Sequence, residues 1–566
     1  MIQRLIPRAS RCPRLSVLTV AAIAALVLPS AASAVEIDTG NPELKLRWDN
    51  TLRYNLGVRA QDCDENICGN GAGAGDITAH QSDRKFAKAG NVVINRLDLL
   101  SELDVVYKTD TGFRVSGAGW YDQAYHSLTA KGDPALLAAP FGGNAYPGGT
   151  YTHDVKRWNR GPSGEFLDAF AFTRFDVAGV PINVKLGQHN IYWGESLFSL
   201  VGGVAYGQGP IDYRKAFANP GAEAKELFKP LNQASFSAAL SDRLVIAGQY
   251  FLDWKASTLP DGGTYFGPAD FVTAQGGTVL PGAFGGLPFE GARKPEHRSG
   301  DWGLAVKWRP EVLDGTVGFY VREFTSKLPQ VVIDSATFTM FEDYRTPREK
   351  LFGVSLSKSM GGISFGADIT YRKDAQIAAT FGSLVDNTTD WRPRGDIFTA
   401  LGNMIAYFGK SPVFDSAVLT AELNYSRLRK VTHDPFNLYY GLPANCGADG
   451  VATNHGCPTK DAWGFAMIFE PKWFQALPGT DVSMPLYIGT GLKGNSPVLF
   501  GDNQGQGSWS LGVTADVDQK YNFALKYNGF LAKHSNDVAG VGGNSNSSLG
   551  KYWDRSWVSF TFKTTF

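Results

Sequence analysis

From Leu44 to Ala60 the chain reads LKLRWDNTLRYNLGVRA, and apolar and polar residues take turns almost without a break. Even positions carry Leu44, Leu46, Trp48, Leu52, Tyr54, Leu56 and Val58, while odd positions carry Lys45, Arg47, Asp49, Thr51, Arg53, Asn55 and Arg59. A period of two marks a strand with one apolar and one polar face. This run is longer than an ordinary globular strand and long enough to cross a bilayer at a tilt.

Similar segments then arrive in pairs. Residues 96–108 and 112–126 flank Thr109-Asp110-Thr111, residues 166–176 and 181–193 flank Ala178-Gly179-Val180, and residues 232–240 and 243–257 flank Ser241-Asp242. Residues 300–309 pair with 316–327 across Leu313-Asp314-Gly315, and residues 352–359 with 363–375 across Met360-Gly361-Gly362. Three more pairs follow: 396–408 with 415–430, 462–474 with 482–494, and 508–517 with 520–533. Short turns rich in Gly and Asp are hairpin signals. Much longer polar, Gly-rich connections lie between the pairs, as at 61–91, 127–165, 258–299 and 431–461. One opening strand, eight hairpins and a closing strand put both termini on the side of the short turns. The spacing predicts an all-β fold: a transmembrane antiparallel β-barrel of about eighteen strands, with sixteen the nearest alternative.

The closing strand ends the chain. In WDRSWVSFTFKTTF, Phe566, Thr564, Phe562, Phe560 and Val558 share one face and Thr565, Lys563, Thr561, Ser559 and Trp557 the other. Such a strand must pair with the first so that no backbone edge meets lipid. The terminal Phe566 after Phe562 and Phe560 also resembles the recognition signal by which outer-membrane barrels are captured by their assembly machinery, with Thr564 a mild departure.

The other end of the chain supplies the compartment. Arg4, Arg8, Arg11 and Arg14 precede an apolar run from Val17 to Leu28 and the small residues Ala31-Ala32-Ser33-Ala34. This reads as a secretory signal peptide over residues 1–34, cleaved after Ala34, with residues 35–566 as one barrel domain. The apolar run is too short for a comfortable membrane anchor. Removing the leader's four arginines leaves 50 basic side chains against 54 acidic ones, a net charge of about −4 that speaks against nucleic acid as a partner. A mean hydropathy of −0.17 suits a soluble protein. It equally suits a barrel whose lumen-facing half dilutes the signal, and 13% aromatic residues with 65 Gly fit that second reading.

Four cysteines remain after Cys12 leaves with the leader: Cys63, Cys68, Cys446 and Cys457, all within long connections. Three pairings exist, and the local ones, Cys63 with Cys68 and Cys446 with Cys457, are favoured because each closes a short loop in an oxidising compartment. No CxxC spacing supports a metal. Asp62, Asp64 and Asn66 echo a calcium loop, but Ile67 stands where its Gly belongs. No metal or cofactor is expected.

Chemistry, if any, belongs to the lumen wall. The first strand turns Arg47, Arg53 and Arg59 inward, and RLDLLSELDVVYK turns Arg96, Asp98, Glu102 and Asp104 toward them, with Leu97, Leu99, Leu103, Val105 and Tyr107 on the other face. Arg114, Asp122, Glu422, Asn424, Asp516 and Lys526 extend the polar face on later strands. Wall salt bridges explain such pairs more economically than a ladder guiding a solute. One connection differs from the rest. After GQHNIYWGES (187–196), the chain runs through LFSLVGGVAYGQGPIDYRKAFANPGAEAKELFKPL, apolar and aromatic, with a helix-like piece at Pro220–Phe228. A loop this apolar is expected to fold toward the lumen, with Trp193, Glu195, Tyr206, Tyr213 and Phe228 lining a constriction. A hydrophobic lid or a subunit interface is the competing reading. His189 beside Trp193 and Glu195 reads as a hydrogen-bonded packing residue rather than a catalyst. No GxSxG, HExxH, Walker or Rossmann pattern stands in a usable context, so no enzyme is expected.

The blocks WDNTLRYN, LDLLSELDVVYKTDTGFRVSGAGWYDQAYH, LGQHNIYWGES and NPGAEAKELFKPLNQASFSAALSDRLVIAGQYFLDWKASTLPDGGTYFG, within residues 44–266, resemble the proteobacterial outer-membrane proteins of domain-of-unknown-function family 1302. The resemblance implies a large barrel in the Gram-negative outer membrane. It also implies an envelope lipoprotein-like partner, a permease of the resistance-nodulation-division class, and traffic of hydrophobic compounds such as steroids and lipids. It offers no catalytic residues. The expected function is therefore an outer-membrane channel or transport component for such compounds. A general porin for polar solutes and a non-conducting scaffold or receptor are the two alternatives.

Overall fold

The computed structural model describes residues 35–64, 83–130, 146, 149–199, 202–219, 222, 224–267, 278–279, 287–446, 456–532 and 552–566. The leader with Ala34, and Cys68, lie outside them.

Eighteen strands close into a barrel. They are β1 (Leu44–Arg59), β2 (Val92–Tyr107), β3 (Thr111–Asp122), β4 (Ser163–Val177), β5 (Val180–His189) and β6 (Leu231–Ser241). Next come β7 (Leu244–Phe251), β8 (Trp302–Trp308), β9 (Gly315–Phe324), β10 (Glu349–Met360), β11 (Ile363–Gln376) and β12 (Arg394–Phe408). The last are β13 (Ser416–His433), β14 (Asp461–Leu477), β15 (Thr480–Ser483 and Leu486–Lys493), β16 (Gly507–Val517), β17 (Tyr521–Leu531) and β18 (Trp557–Thr565). β15 is broken where Pro485 withholds an N–H from the ladder. Every neighbouring pair is antiparallel, and β18 pairs with β1 from Thr51↔Thr565 to Arg59↔Trp557. Phe566 extends the seam by exchanging two backbone hydrogen bonds with Asn50, of 2.7 and 2.8 Å.

The hairpin turns explain the register. Val177 pairs with Val180 and Met360 with Ile363, so two residues make each turn. Ala178 and Gly179 (φ 50° and 81°), like Gly361 and Gly362 (60° and 80°), take the positive φ angles that let a two-residue hairpin follow the strand twist. With the turns fixed, alternation sorts every side chain. On β1, Arg53, Asn55 and Arg59 are buried inside the barrel, and Leu52, Tyr54, Leu56 and Val58 face out. On β2, Arg96, Asp98, Leu100 and Glu102 point inward, while Leu97 and Leu99 are exposed to lipid. Trp48, Tyr107, Phe113, Phe175, Trp308 and Tyr407 ring the outer face near the short turns, and Tyr250, Tyr371 and Trp463 stand near its other end. Two aromatic girdles around an apolar belt are the outer surface of a transmembrane barrel.

Several boundaries move from those the sequence predicts. β3 stops at Asp122, whose carboxylate accepts the Ala124 N–H of a short 3-10 turn. β5 ends at His189 and β7 at Phe251, both earlier than expected, because the chain there leaves the wall. A three-residue strand, Val35–Ile37, pairs antiparallel with Leu46–Trp48 and was not foreseen.

The larger departure is a second sheet. Strands Thr278–Val279, Leu287–Arg293, Gln330–Asp334, Thr339–Asp343 and Ser383–Val385 form a mixed five-stranded sheet from the three long connections that precede β8, β10 and β12. Val332, Phe341, Val385 and Trp391 pack on one face, and Leu287, Phe289, Ile333 and Met340 form a second cluster. Because all its strands come from long connections, the sheet caps the long-loop end. The disulfide Cys446–Cys457 forms as expected, with a Cα–Cα distance of 5.8 Å. Cys63 is disulfide-bonded as well.

The lipid-facing alternation is directly testable. Leu99, midway along β2, should not tolerate a charge: Leu99→Arg is expected to cost about 2–4 kcal/mol of folding stability, and Tyr107→Arg near the interface no more than about 1. Equilibrium folding into lipid vesicles in guanidinium measures both. Equal costs at the two depths would contradict the membrane placement.

Candidate functional site

The connection after β5 folds into the lumen and crosses it. Its first leg runs to the wall around β11–β13, where carboxylates receive its backbone rather than its side chains. Glu422 on β13 accepts N–H bonds from Leu197 (2.7 Å), Phe198 (3.2 Å) and Ser199 (2.6 Å). Asp368 on β11 accepts those of Glu195 (3.0 Å) and Val204 (2.9 Å). Hydrogen bonds to an ionised acceptor are the stronger class. Gly194 (φ 88°) and Gly203 (φ 78°) allow the close approach, since a Cβ at either would collide with the Asp368 carboxylate. Arg322 on β9 donates to the Val204 and Tyr206 carbonyls, at 2.8 and 2.6 Å.

The return leg is held by side chains. Two short helices, Tyr213–Ala218 and Ala224–Leu227, replace the single helical piece expected at Pro220–Phe228. The first is capped by Asp212, which accepts the Lys215 N–H at 3.2 Å. Glu226 forms a two-pronged ion pair with Arg53, which is 0% exposed. Lys225 reaches Glu102, and Lys215 reaches Glu165 on β4. Asn219 accepts a hydrogen bond from Asn55 at 3.0 Å. The segment therefore touches β1, β2, β4, β9, β11 and β13, and it plugs much of the lumen.

This geometry sorts the residues the sequence singles out. Arg53 and Glu102 tie down the plug. Asp98 pairs with Arg96 at 2.8 Å, and Asp104 joins Glu102 and Asp168 around Arg114. Arg59 pairs with Asp554 at 2.8 Å and donates to the Phe86 carbonyl, fastening loops near the seam. Arg47 shares the inward face as expected of the alternation, and its side chain is 61% exposed near the short-turn rim, where it pairs with Asp49. His189 donates or accepts at Ser235 Oγ (2.8 Å) and the Gly187 carbonyl (3.0 Å), the hydrogen-bonded packing role expected of it.

The residues expected at a constriction each pack against a neighbour. Trp193 packs on Tyr320 and Ala305 of the wall, Tyr206 on Phe324 with Arg372 over its ring at 3.9 Å, and Phe228 on Tyr192 at 4.8 Å. Glu195 donates through its N–H to Asp368 and accepts through its carbonyl from Asn403, and its side chain, like that of Phe228, is half-buried. Tyr213 lines the aromatic space between plug and wall. Sequence reasoning placed Glu422 on the lumen wall but missed its latch role, and it missed Asp368. A carboxylate that binds backbone leaves no complementary residue to find.

The open space lies between the plug and the wall from β13 to β17. It is a cavity of about 310 Å³, lined by Phe198, Tyr213 and Phe217 of the plug, Tyr487 and Phe530 of the wall, and Phe500, Asp502 and Tyr552 of connections. Tyr213 stacks on Phe500 (4.6 Å), Phe217 on Tyr552 (5.5 Å), and Phe530 on Tyr552 (5.1 Å). Burial pushes the Asp502 carboxyl up to about 6 and Glu422 adds to the rise, against a hydrogen bond from Asn424. Its volume is at the lower end for a small-molecule site. Among the described residues no cluster of His, Cys, Asp or Glu is arranged to hold a metal ion.

Sequence and structure comparisons extend these observations. The family model described as "Protein of unknown function (DUF1302)" matches residues 15–566. No curated protein matches the chain. Among solved structures the chain is similar to a BenF-like porin from Pseudomonas fluorescens Pf-5, with 9% identity, 94% of this chain and 99% of that one covered, and a TM-score of 0.40. It is similar as well to Pseudomonas aeruginosa OpdK with vanillate, with 10% identity, 92% and 98% covered, and a TM-score of 0.40. Acinetobacter baumannii OccAB4 shows 8% identity, 93% and 100% coverage, and a TM-score of 0.39.

Removing the latch should open the lumen. Glu422→Ala deprives three backbone N–H groups of their acceptor, at a cost on the order of 1–3 kcal/mol for each left unsatisfied. Single-channel recordings should show higher conductance and frequent substates, and deletion of residues 200–225 should raise conductance further and abolish selectivity. Unchanged currents in both variants would rule out a plug.

Proposed function

Since this chain belongs to the DUF1302 family, which carries no assigned activity, we propose its function from the lumen: a non-enzymatic outer-membrane channel for hydrophobic organic compounds of lipid or steroid size. The observation behind this reading is the aromatic chamber between plug and wall. Its aromatic rings offer large apolar surface against which an apolar body can pack. Transferring an apolar solute from water into it is favourable by about 25 cal/mol per Å². A wide polar pore would need an unobstructed lumen, and the plug leaves little of one. Export through a leader ending at Ala34, insertion by the barrel assembly machinery into outer-membrane lipid, and exchange of cargo with a lipoprotein-like partner and an inner-membrane permease complete the proposal.

Planar bilayers test it. Wild-type channels should carry small currents that an uncharged steroid blocks. Phe500→Ala, which removes apolar contact area worth about 1 kcal/mol, should weaken the block roughly fivefold. Below pH about 6 Asp502 takes up a proton and the chamber loses its one buried charge, so block should tighten on acidification. Asp502→Asn should hold the tighter value at pH 7.5. Large unselective currents without block would favour a general porin, and no current at all a scaffold.

A further inference from the structure

A second cavity, of about 520 Å³, lies toward the capped end. Plug residues Arg214 and Lys229, connection residues Trp254, Lys255 and Leu259, and Glu342 of the cap sheet border it. Leu259 also lines the aromatic chamber, so the two spaces lie on either side of this residue.

Its ammonium groups are unlike the other buried lysines. Lys327 is paired with Asp301 at 2.7 Å, and Lys215 with Glu165. Lys229 Nζ donates only to the Ala256 carbonyl (3.0 Å) and Thr258 Oγ1 (2.7 Å), and Lys255 Nζ only to Gln188 Oε1 (3.1 Å) and the Pro230 carbonyl (3.0 Å). All four acceptors are neutral, and neither lysine forms an ion pair with a described carboxylate. Burial, with Arg214 and Lys255 nearby, brings the Lys229 ammonium down to about 8 against the opposing pull of Asp212. Burial likewise lowers that of Lys255. Asp212 and Glu165 attract Lys229, and Asp253 and Glu165 attract Lys255, without ion-pair contact, so two neighbouring, partly desolvated cations lack a contact counter-ion, which is costly. Three carboxylates border the space: Glu342 accepts from Tyr344 OH, Asp253 accepts the Trp254 N–H, and Asp154 lies 3.6 Å from His153; none is in ion-pair contact with either lysine. Arg214 is matched to Asp212 and Asp261. Trp254, a residue 4% exposed, lines the same space, and its buried indole N–H has no acceptor.

We propose that this vestibule is a binding site for an oxyanion head group of the carboxylate type, held by Lys229, Lys255 and Trp254, on an amphiphile whose apolar body enters the aromatic chamber. The inference rests on the channel reading above and specifies its cargo as anionic amphiphiles. The anion supplies the missing contact counter-charge, and Leu259, bordering both spaces, sets them side by side for one molecule.

The test compares two probes in planar bilayers: cholate below its micellar concentration, a steroid carboxylate, and progesterone, an uncharged steroid. Wild-type protein should be blocked by both, and by cholate more tightly. Lys229→Met with Lys255→Met should weaken the cholate block about tenfold or more and leave the progesterone block within about twofold of wild type. Lys255→Arg should retain the cholate block, which guards against a disturbed plug as the cause. Cholate block unchanged in the double variant, or both probes weakened in parallel, would overturn the head-group site while leaving the apolar channel standing. Failure of both probes to block wild-type protein would overturn the channel reading and this inference together.

Discussion

In hydrocarbon no water is present to satisfy a backbone N–H or carbonyl, and every other feature of this molecule follows from that constraint. Strands can cross only if each finds a neighbour on both sides, so the last must return to the first. The seam from Asn50 to Arg59 against Trp557 to Phe566 meets this demand residue by residue. Closing eighteen strands fixes a ring too wide for wall side chains to fill. The fold therefore creates an interior that some other part of the chain must occupy.

The occupant is the connection after β5, and its attachment is divided by chemistry. One wall grips backbone amides through Glu422 and Asp368, while the opposite wall grips charged side chains through Arg53 and Glu102. A buried ion pair such as Arg53 with Glu226 adds little net stability over an apolar contact, yet breaking it leaves a charge stranded. It thus acts as a positional constraint on the plug. What remains unfilled is set by where the plug is pinned, and that leaves aromatic rings on both sides of the chamber.

The barrel was legible in the sequence because each strand borders two media. Alternation in 44–60 reports lipid on one face and lumen on the other, and all eighteen strands appear within a few residues of where the pattern places them. The cap sheet was invisible for the converse reason. Gln330–Asp334 and Thr339–Asp343 are five residues each and buried on both faces, so no period of two survives. The plug was visible as a loop too apolar for water, but its contacts were not. Trp193 and Tyr206 are apolar because they pack against the wall and Phe228 because it packs on Tyr192, and composition cannot distinguish a residue that anchors a plug from one that borders a passage. Arg47 shows a similar limit: alternation assigns a face but not a depth.

The Glu422 latch has an implication for how such a channel can diversify. It recognises main-chain amides at 197–199, which every residue except proline provides. Side chains there can be exchanged for larger, smaller or differently shaped ones while the anchorage persists. Phe198, which borders the chamber, sits on the very stretch where exchange is cheapest, so the shape of that chamber can be changed by point substitutions that leave the architecture alone.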